Sequence, residues 1–172
     1  MKTLLVVAQL GFQPLEYSDT REALEKEGIE VEVASFAATE AISANGDVID
    51  IDVAINNVDV DKYDAVALIG GGGAVKEFSG NPDVIKLVQD FDNAEKVVAA
   101  ICFSPVVLAQ ARLLKDRKAT VWNEADGWEE EVLSSEGATY VKEAVVVDTR
   151  FVTANGPAAA KEFGKTIAEM LK

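Results

Sequence analysis

The segment AAICFSPVVLAQ, residues 99–110, contains the only cysteine of this 172-residue chain. An apolar run that starts at Val97 leads directly into Cys102, and a second apolar run follows Pro105. Continuous apolar runs of this length are typical of parallel strands that are buried on both faces. A proline is well accommodated in the first turn of a helix. The segment therefore predicts a strand over 97–101, a sharp turn at Cys102 and a helix over 105–114.

Similar apolar runs recur along the chain and alternate with helical patterns. Strands are predicted at 3–8, 29–33, 48–53, 65–69, 97–101, 119–122, 140–147 and 151–154. Helices are predicted from Pro14 to Gly28, after Asn81-Pro82, at 105–114, at 125–133 and from Pro157. Asn45-Gly46 is a hairpin signal, and residues 148–150 are predicted to turn a second hairpin. This order predicts an α/β fold with a largely parallel sheet, in a single domain spanning residues 1–172.

The net charge of the chain limits the classes of partner that it can bind. With 30 acidic and 16 basic residues the chain carries a formal net charge of -14, so we expect it to repel nucleic acid and anionic membranes. No apolar run approaches the ~20 residues that a membrane helix needs. The N-terminal run is broken by Gln9 and Gly11 and leads into an acidic segment, unlike a signal peptide. We expect a cytoplasmic protein that binds neither nucleic acid nor membrane.

The chain contains no histidine. Histidine is the commonest general base at neutral pH and a usual partner of cysteine in zinc sites. Its absence excludes Cys/His zinc sites and any Ser-His or Cys-His dyad within the chain. A single cysteine also excludes an internal disulfide. We expect neither a metal nor a cofactor.

Three loops are expected to meet beyond the carboxyl ends of the parallel strands, where α/β proteins place their sites. They are the loop after Ala8, the glycine run Gly70 to Gly73 and the turn at Cys102. A strand, one reactive residue and a helix form a nucleophile elbow, in which the helix N-terminus favours thiolate. The alternative is a buried core cysteine, since cysteine is often fully buried.

The sequence pattern alone leaves the roles of the glycine run and of Glu16 undecided. The glycines could bring backbone amides to a substrate oxygen as an oxyanion hole or to a phosphate, or form only a flexible turn. They match neither the GxGxxG fingerprint nor a P-loop. Glu16 lies near the start of the first predicted helix, where an isolated surface carboxylate is favoured by the helix dipole.

In order and spacing, these motifs resemble the ThiJ/PfpI superfamily over essentially the whole chain. LLVVAQLGFQPLE, residues 4–16, is similar to the family's apolar strand followed by a Gly and a Glu. DAVALIGGGG, residues 64–73, resembles a strand ending in Leu-Pro-Gly-Gly, with Ile69 in place of the Pro. AAICFSP resembles the elbow Ala-Ile-Cys-x-Gly-Pro, with Ser104 in place of the Gly. FVTANGPAAAKEFG, residues 151–164, resembles the closing strand, loop and helix.

The resemblance implies a flavodoxin-like three-layer sandwich and a role for each motif. Cys102 would be the elbow nucleophile, and Glu16 the carboxyl group that contacts its sulfur. The backbone N–H groups of Gly71 and Phe103 would form the oxyanion hole. A carboxyl group kept protonated by burial can donate a hydrogen bond to a thiolate, so we expect a lowered pKa for the Cys102 thiol. Family members are commonly dimers, which implies a homodimer.

Departures from the family pattern bear on the chemistry. Phe103 stands where protease-type members place a His, and Trp122 or Asn123 stands where other members place one. Asn155 stands where some members have an Arg, which puts anion binding there in doubt. Cys-His peptidase or amidotransferase chemistry therefore has no base in this chain.

The resemblance also gives candidates for the walls of a pocket: Gly70, Trp122, Asn123, Asn155 and Pro157. Trp122 and Trp128 could wall the pocket or simply pack, and we favour packing.

Three kinds of function follow. The first is a cysteine-dependent lyase or hydrolase in which the Cys102 thiolate attacks a small electrophile such as a reactive carbonyl, as in the family's glyoxalase, deglycase or hydratase activities. The second is a non-catalytic redox-sensing or stress-response protein in which an oxidant converts Cys102 to sulfinate. The third is a degenerate scaffold that only binds. The family's intracellular protease or amidase label is disfavoured by the absent histidine.

Overall fold

The computed structural model of the protein describes residues 1–123 and 126–172. The strands of these ranges are β1 (Lys2–Val6), β2 (Leu10–Phe12), β3 (Glu30–Ser35), β4 (Glu40–Ser43), β5 (Val48–Asp50), β6 (Val53–Ala54), β7 (Ala65–Leu68), β8 (Val97–Ile101), β9 (Lys118–Ala119), β10 (Thr139–Tyr140), β11 (Val145–Asp148) and β12 (Phe151–Ala154). The α-helices are α1 (Pro14–Lys26), α2 (Gly72–Glu77), α3 (Pro82–Asn93), α4 (Pro105–Gln110), α5 (Trp128–Ser135) and α6 (Ala160–Met170).

The central element is a seven-stranded sheet in the order β11-β12-β8-β7-β1-β3-β6. All neighbouring pairs are parallel except β11 and β12, which form a hairpin. Every residue of β7 and β8 is buried, as expected for central strands covered on both faces. The predicted α/β fold with a largely parallel sheet is confirmed.

Register brings two of the predicted loops together. Leu68 at the end of β7 pairs with Ala100 of β8, so the glycine run after β7 and the turn after β8 leave the sheet side by side. The loop between β1 and α1 joins them, because the Gln13 N–H donates to the Gly70 carbonyl at 3.0 Å.

Helices α1 and α6 pack against each other, and α3 packs against β7 and β8. Gly164 allows the close approach of α6 to α1. A Cβ atom at this position would lie 2.7 Å from the Thr20 carbonyl oxygen and 2.9 Å from the Ala23 Cβ. A small sheet of β2, β4 and β5 lies apart from the main sheet, and its hairpin turns at Asn45-Gly46 as predicted. Among the described helices, none is long and apolar enough to cross a membrane.

The predicted helix over 105–114 is too long, because α4 ends at Gln110. Arg112 adopts a left-handed conformation with φ 63°. The Leu113 N–H donates to the Leu108 carbonyl, and the Arg112 N–H to the Ala109 carbonyl. This is the Schellman pattern of a helix end, in which glycine is the usual residue. An arginine in that position gives no stop signal in the sequence.

The predicted strand over 140–147 is divided. Tyr140 pairs with Ala119 in a separate two-stranded sheet, and the hairpin strand begins only at Val145. The strand predicted at 119–122 is correspondingly shorter, because the Trp122 N–H bonds to the Cys102 carbonyl instead. The predicted helix at 125–133 corresponds to α5, and Ala125 lies outside the described residues.

Candidate active site

Cys102 occupies a strained turn between β8 and α4. Its φ is 64°, a left-handed conformation that a residue with a Cβ adopts rarely and at a cost in energy. The turn is held on both sides: the Cys102 N–H donates to the Ala154 carbonyl at 2.9 Å, and the Cys102 carbonyl accepts from the Trp122 N–H at 2.8 Å. The thiol is free and only partly buried. This backbone geometry is that of an elbow, not of a core cysteine.

Glu16 is fully buried, contrary to the surface position that its place in a helical first turn suggests. The Gln13 side chain caps α1 by accepting from the Glu16 N–H at 2.7 Å. The carboxyl group then reaches the end of β7, where its Oε2 accepts from the Gly70 N–H at 2.8 Å. Its Oε1 is buried without a hydrogen-bond partner among the residues that the structure describes. Buried polar groups are usually hydrogen-bonded, so this carboxyl group is exceptional within the described residues.

The glycine run is needed for close packing around this pair. A Cβ at Gly70 would lie 2.6 Å from the Cys102 Cβ and 2.8 Å from Glu16 Oε2. Gly71 has φ 111°, and a Cβ there would lie 2.6 Å from the Gln13 backbone nitrogen. These two glycines are therefore sterically required at their positions.

The Glu16 carboxyl group and the Cys102 thiol affect each other's pKa. Burial raises the pKa of Glu16 to about 7, and its interactions with Cys102 and the Gly70 N–H offset only part of that rise. Burial and the charge of Glu16 raise the pKa of the Cys102 thiol, while the Phe103 and Gly71 N–H groups lower it. The predicted net lowering of the thiol pKa is wrong, because the two amides do not outweigh burial and a neighbouring carboxylate.

Glu16 acts on the thiol through a charge that exists only while Glu16 is ionised. When Glu16 carries the proton, this repulsion vanishes and the carboxyl group can donate a hydrogen bond to the sulfur. Glu16 and Cys102 can therefore carry one negative charge between them, whereas two charges are strongly disfavoured. We expect the two groups to titrate as a coupled pair that retains one proton.

The backbone N–H groups of Gly71 and Phe103 both face the Cys102 sulfur. The Phe103 side chain is buried and packs on Trp128, with ring centroids 5.5 Å apart. The residue that replaces a His of protease-type proteins thus contributes only its backbone amide to the site. Trp128 is partly buried and packs against the core, as we favoured.

An open cavity of about 570 Å³ is lined by neither Cys102 nor Glu16, and it adjoins the elbow through Trp122, whose N–H donates to the Cys102 carbonyl. Four of the candidate pocket residues line it together: Trp122, Asn123, Asn155 and Pro157. Trp122, for which we favoured packing, is 39% exposed on this wall. Gly70, the fifth candidate, lies instead against Glu16 and Cys102.

Glu130 and Tyr140 are among the polar residues of the cavity that the sequence did not predict. The Asn123 side-chain amide donates to Glu130 Oε2 at 2.9 Å and to the Tyr140 hydroxyl at 3.4 Å. Glu130 had the pattern of a solvated acidic helix and Tyr140 that of a strand residue, and only the tertiary fold brings them to Asn123. Within the described ranges, no three His, Cys, Asp or Glu side chains group so that they could hold a metal ion.

Comparison with known proteins agrees with this geometry. The sequence model of the DJ-1/PfpI family matches residues 1–170. The chain belongs to this family. It is 30% identical over 174 aligned residues to a deglycase of Thermococcus kodakarensis, and the alignment covers 100% of both chains.

Solved structures of the family have the same fold. A ThiJ/PfpI domain protein of Brachyspira murdochii superposes with a TM-score of 0.93 at 28% identity, covering 99% of this chain and 95% of that one. The oxidised form of Toxoplasma gondii DJ-1 superposes with a TM-score of 0.83 at 26% identity, covering 99% of this chain and 90% of that one.

Gly70→Ala tests the close packing around the pair. The added methyl group would overlap the Cys102 Cβ and Glu16 Oε2, so we expect the rate of Cys102 alkylation by iodoacetamide at pH 7 to change by about tenfold or more. Gly72→Ala is the matched control, because a Cβ there meets nothing within 4 Å. Equal alkylation rates in the two variants and the wild type would contradict the required contact.

Glu16→Gln tests the burial of the carboxyl group through stability. The folded-state pKa of about 7 lies above the ordinary 4.5, so the native chain retains a proton that the unfolded chain releases. The stabilising contribution is complete below about pH 4.5 and is lost as the pH rises through 7, by up to about 3 kcal/mol.

We therefore expect the stability of Glu16→Gln relative to wild type, measured by urea unfolding, to increase between pH 4.5 and 7. Glu131→Gln on α5, at an exposed position, serves as the control and should show no such trend. A pH-independent difference for Glu16→Gln would show that its folded-state pKa is ordinary.

Proposed function

We propose that the protein is a cysteine-dependent enzyme that acts on small reactive carbonyl compounds. The observation that carries the proposal is the buried Glu16 carboxyl group packed against a partly exposed cysteine in a strained elbow. Strain and a perturbed carboxyl pKa concentrate at functional sites. A purely structural pair would gain nothing from either.

The reactive form is the one in which the shared proton lies on Glu16 and the charge on the Cys102 sulfur. The thiolate attacks the carbonyl carbon, a C–S bond forms, and the π electron pair moves to the oxygen. The N–H groups of Gly71 and Phe103, which face the sulfur, are placed to stabilise this developing charge. Glu16 then gives its proton to the oxygen, which leaves a neutral hemithioacetal and a carboxylate that can act as a base.

This chemistry uses Glu16 as the acid that protonates the oxygen and leaves its carboxylate as the available base, so neither role needs a histidine. Peptide hydrolysis would need a group that protonates the leaving amine, which is the role of histidine in cysteine peptidases, and the chain has no histidine. The name of the Thermococcus kodakarensis relative, deglycase, supports a carbonyl adduct as the substrate rather than a peptide bond.

Cys102→Ala tests the proposal with methylglyoxal as the probe. We expect the wild type to consume it catalytically and to form a covalent adduct on Cys102 that intact-mass spectrometry detects. Both signals should be lost in Cys102→Ala, because no other thiol is present. Ser79→Ala, at a surface position far from the elbow in sequence, is the control for activity that is lost during preparation of a variant. Consumption at the same rate in Cys102→Ala would refute the proposal.

A redox function is the second candidate, favoured by the buried Glu16 carboxyl group beside the Cys102 sulfur. Two-electron oxidations convert a thiolate stepwise to sulfenate and sulfinate, and the chain has no second cysteine to intercept the sulfenate. A protonated Glu16 could donate to a sulfinate oxygen. The solved Toxoplasma gondii relative is an oxidised form. Stress response and a cytoplasmic location stay predictions.

Mild peroxide separates the two candidates. A sensor should gain the mass of two oxygen atoms selectively at Cys102 and show no turnover of methylglyoxal. An enzyme of the first kind should turn over methylglyoxal, and oxidation should inactivate it.

Members of the family are commonly dimers, and we propose that this chain forms a homodimer through the small sheet. Leu10, Ile42 and Val48 are 63%, 40% and 56% exposed. They are cross-strand neighbours on β2, β4 and β5, so their side chains form one apolar stripe. A second copy of the chain would cover this stripe.

Ile42→Glu tests the dimer by placing a charge in the middle of the stripe. We expect light scattering to give twice the 18.4 kDa chain mass for the wild type and the single chain mass for Ile42→Glu. Val147→Glu is the matched control, because Val147 is 48% exposed on the remote strand β11. A wild-type mass of one chain would contradict the proposal.

A further inference from the structure

The two positions at which the glycine loop and the elbow depart from the family motifs bond to each other. Ile69 replaces the proline of the first motif, and Ser104 replaces the glycine of the second. The Ser104 hydroxyl donates to the Ile69 carbonyl at 2.9 Å, and both residues are fully buried. A buried hydroxyl that donates a hydrogen bond to one carbonyl oxygen fixes the position of that peptide group.

The peptide group so fixed is also the one that holds Glu16. The Ile69 carbonyl and the Gly70 N–H belong to a single planar peptide unit. The Gly70 N–H donates to Glu16 Oε2 at 2.8 Å. Ser104, the Ile69–Gly70 peptide and the Glu16 carboxyl therefore form one continuous chain of hydrogen bonds. Donation to the carbonyl end of a peptide polarises its N–H end and strengthens the next bond in the chain.

We infer that Ser104 is a positioning residue that controls where the shared proton of the Glu16–Cys102 pair resides, acting through the Ile69–Gly70 peptide. This inference rests on the proposed function for its catalytic meaning. A stronger bond from the Gly70 N–H favours the ionised form of Glu16. Ser104 thus makes Glu16 a stronger acid toward a substrate oxygen, and it lowers the share of pairs in which Glu16 holds the proton.

The groups that act on the Glu16 carboxyl are few. The Cys102 thiol faces it from the elbow, and the Gly70 N–H faces it from the end of β7. Both belong to elements that Ser104 touches, since Ser104 follows the elbow directly and bonds to the residue before Gly70. Replacing Cys102 by alanine removes the thiol and leaves the peptide as the route by which Ser104 can act on Glu16.

The test is a titration of Glu16 in the full-length Cys102→Ala protein. Glutamate carrying ¹³C in its carboxyl group is incorporated, and the Glu16 signal is assigned by its loss in Glu16→Gln. Adding Ser104→Ala should raise the Glu16 titration midpoint by about half a unit, because the Gly70 N–H becomes a weaker and less fixed donor.

Ser35→Ala is the matched control. The Ser35 hydroxyl is equally buried and donates to the Val7 carbonyl at 2.7 Å, at the end of a different pair of strands. It should lower the thermal unfolding temperature much as Ser104→Ala does, with no change in the Glu16 midpoint. Ser104→Gly, which restores the family residue, is the second variant if Ser104→Ala does not fold.

A Glu16 midpoint that is the same with and without the Ser104 hydroxyl, in a folded protein, would overturn the inference. An equal rise of the Glu16 midpoint in Ser35→Ala would also overturn the inference, since it would show that losing a buried hydroxyl loosens the whole fold. The titration does not depend on enzyme turnover. A wild type that does not consume methylglyoxal would count against the proposed function, and the titration would still decide the role of Ser104.

Discussion

The burial of the Glu16 carboxyl group against the Cys102 sulfur is the constraint on which the rest of the site depends. A buried carboxylate and a buried thiolate cannot both be charged at close range without a large cost in free energy. The pair therefore retains a proton near neutral pH, and the position of that proton decides whether the sulfur is reactive. The raised pKa of Glu16, about 7, places this choice in the physiological range.

Much of the surrounding structure can be understood as support for that pair. The alignment of β7 and β8 brings the glycine loop and the elbow together, and Gly70 leaves no space between them. The Gln13 side chain starts α1 at the position that directs Glu16 inward. The bonds from the elbow backbone to Ala154 and Trp122 hold Cys102 in its left-handed conformation and connect it to the cavity wall.

The sheet was largely predictable, because β7 and β8 are buried on both faces and so leave continuous apolar runs in the sequence. The end of α4 was not, since the left-handed residue of its Schellman pattern is Arg112 instead of glycine. The burial of Glu16 could be inferred only from the family resemblance, because burial arises from elements far apart in the chain. Glu130 and Tyr140 were not predicted at all, because they meet Asn123 only in the folded protein. The direction of the thiol pKa was predicted wrongly, because the prediction took Glu16 as a protonated donor, whereas burial of the thiol and the charge of Glu16 raise the thiol pKa.

The most direct test of a shared proton is the pH dependence of Cys102 alkylation by iodoacetamide, in the wild type and in Glu16→Gln. The single cysteine makes the signal unambiguous. A coupled pair should give two steps in the wild type, the first with a midpoint near the Glu16 value of about 7, and a single step in Glu16→Gln. One step at the ordinary thiol value of ~8.5, the same in both proteins, would show that Glu16 and Cys102 titrate independently and would contradict the account.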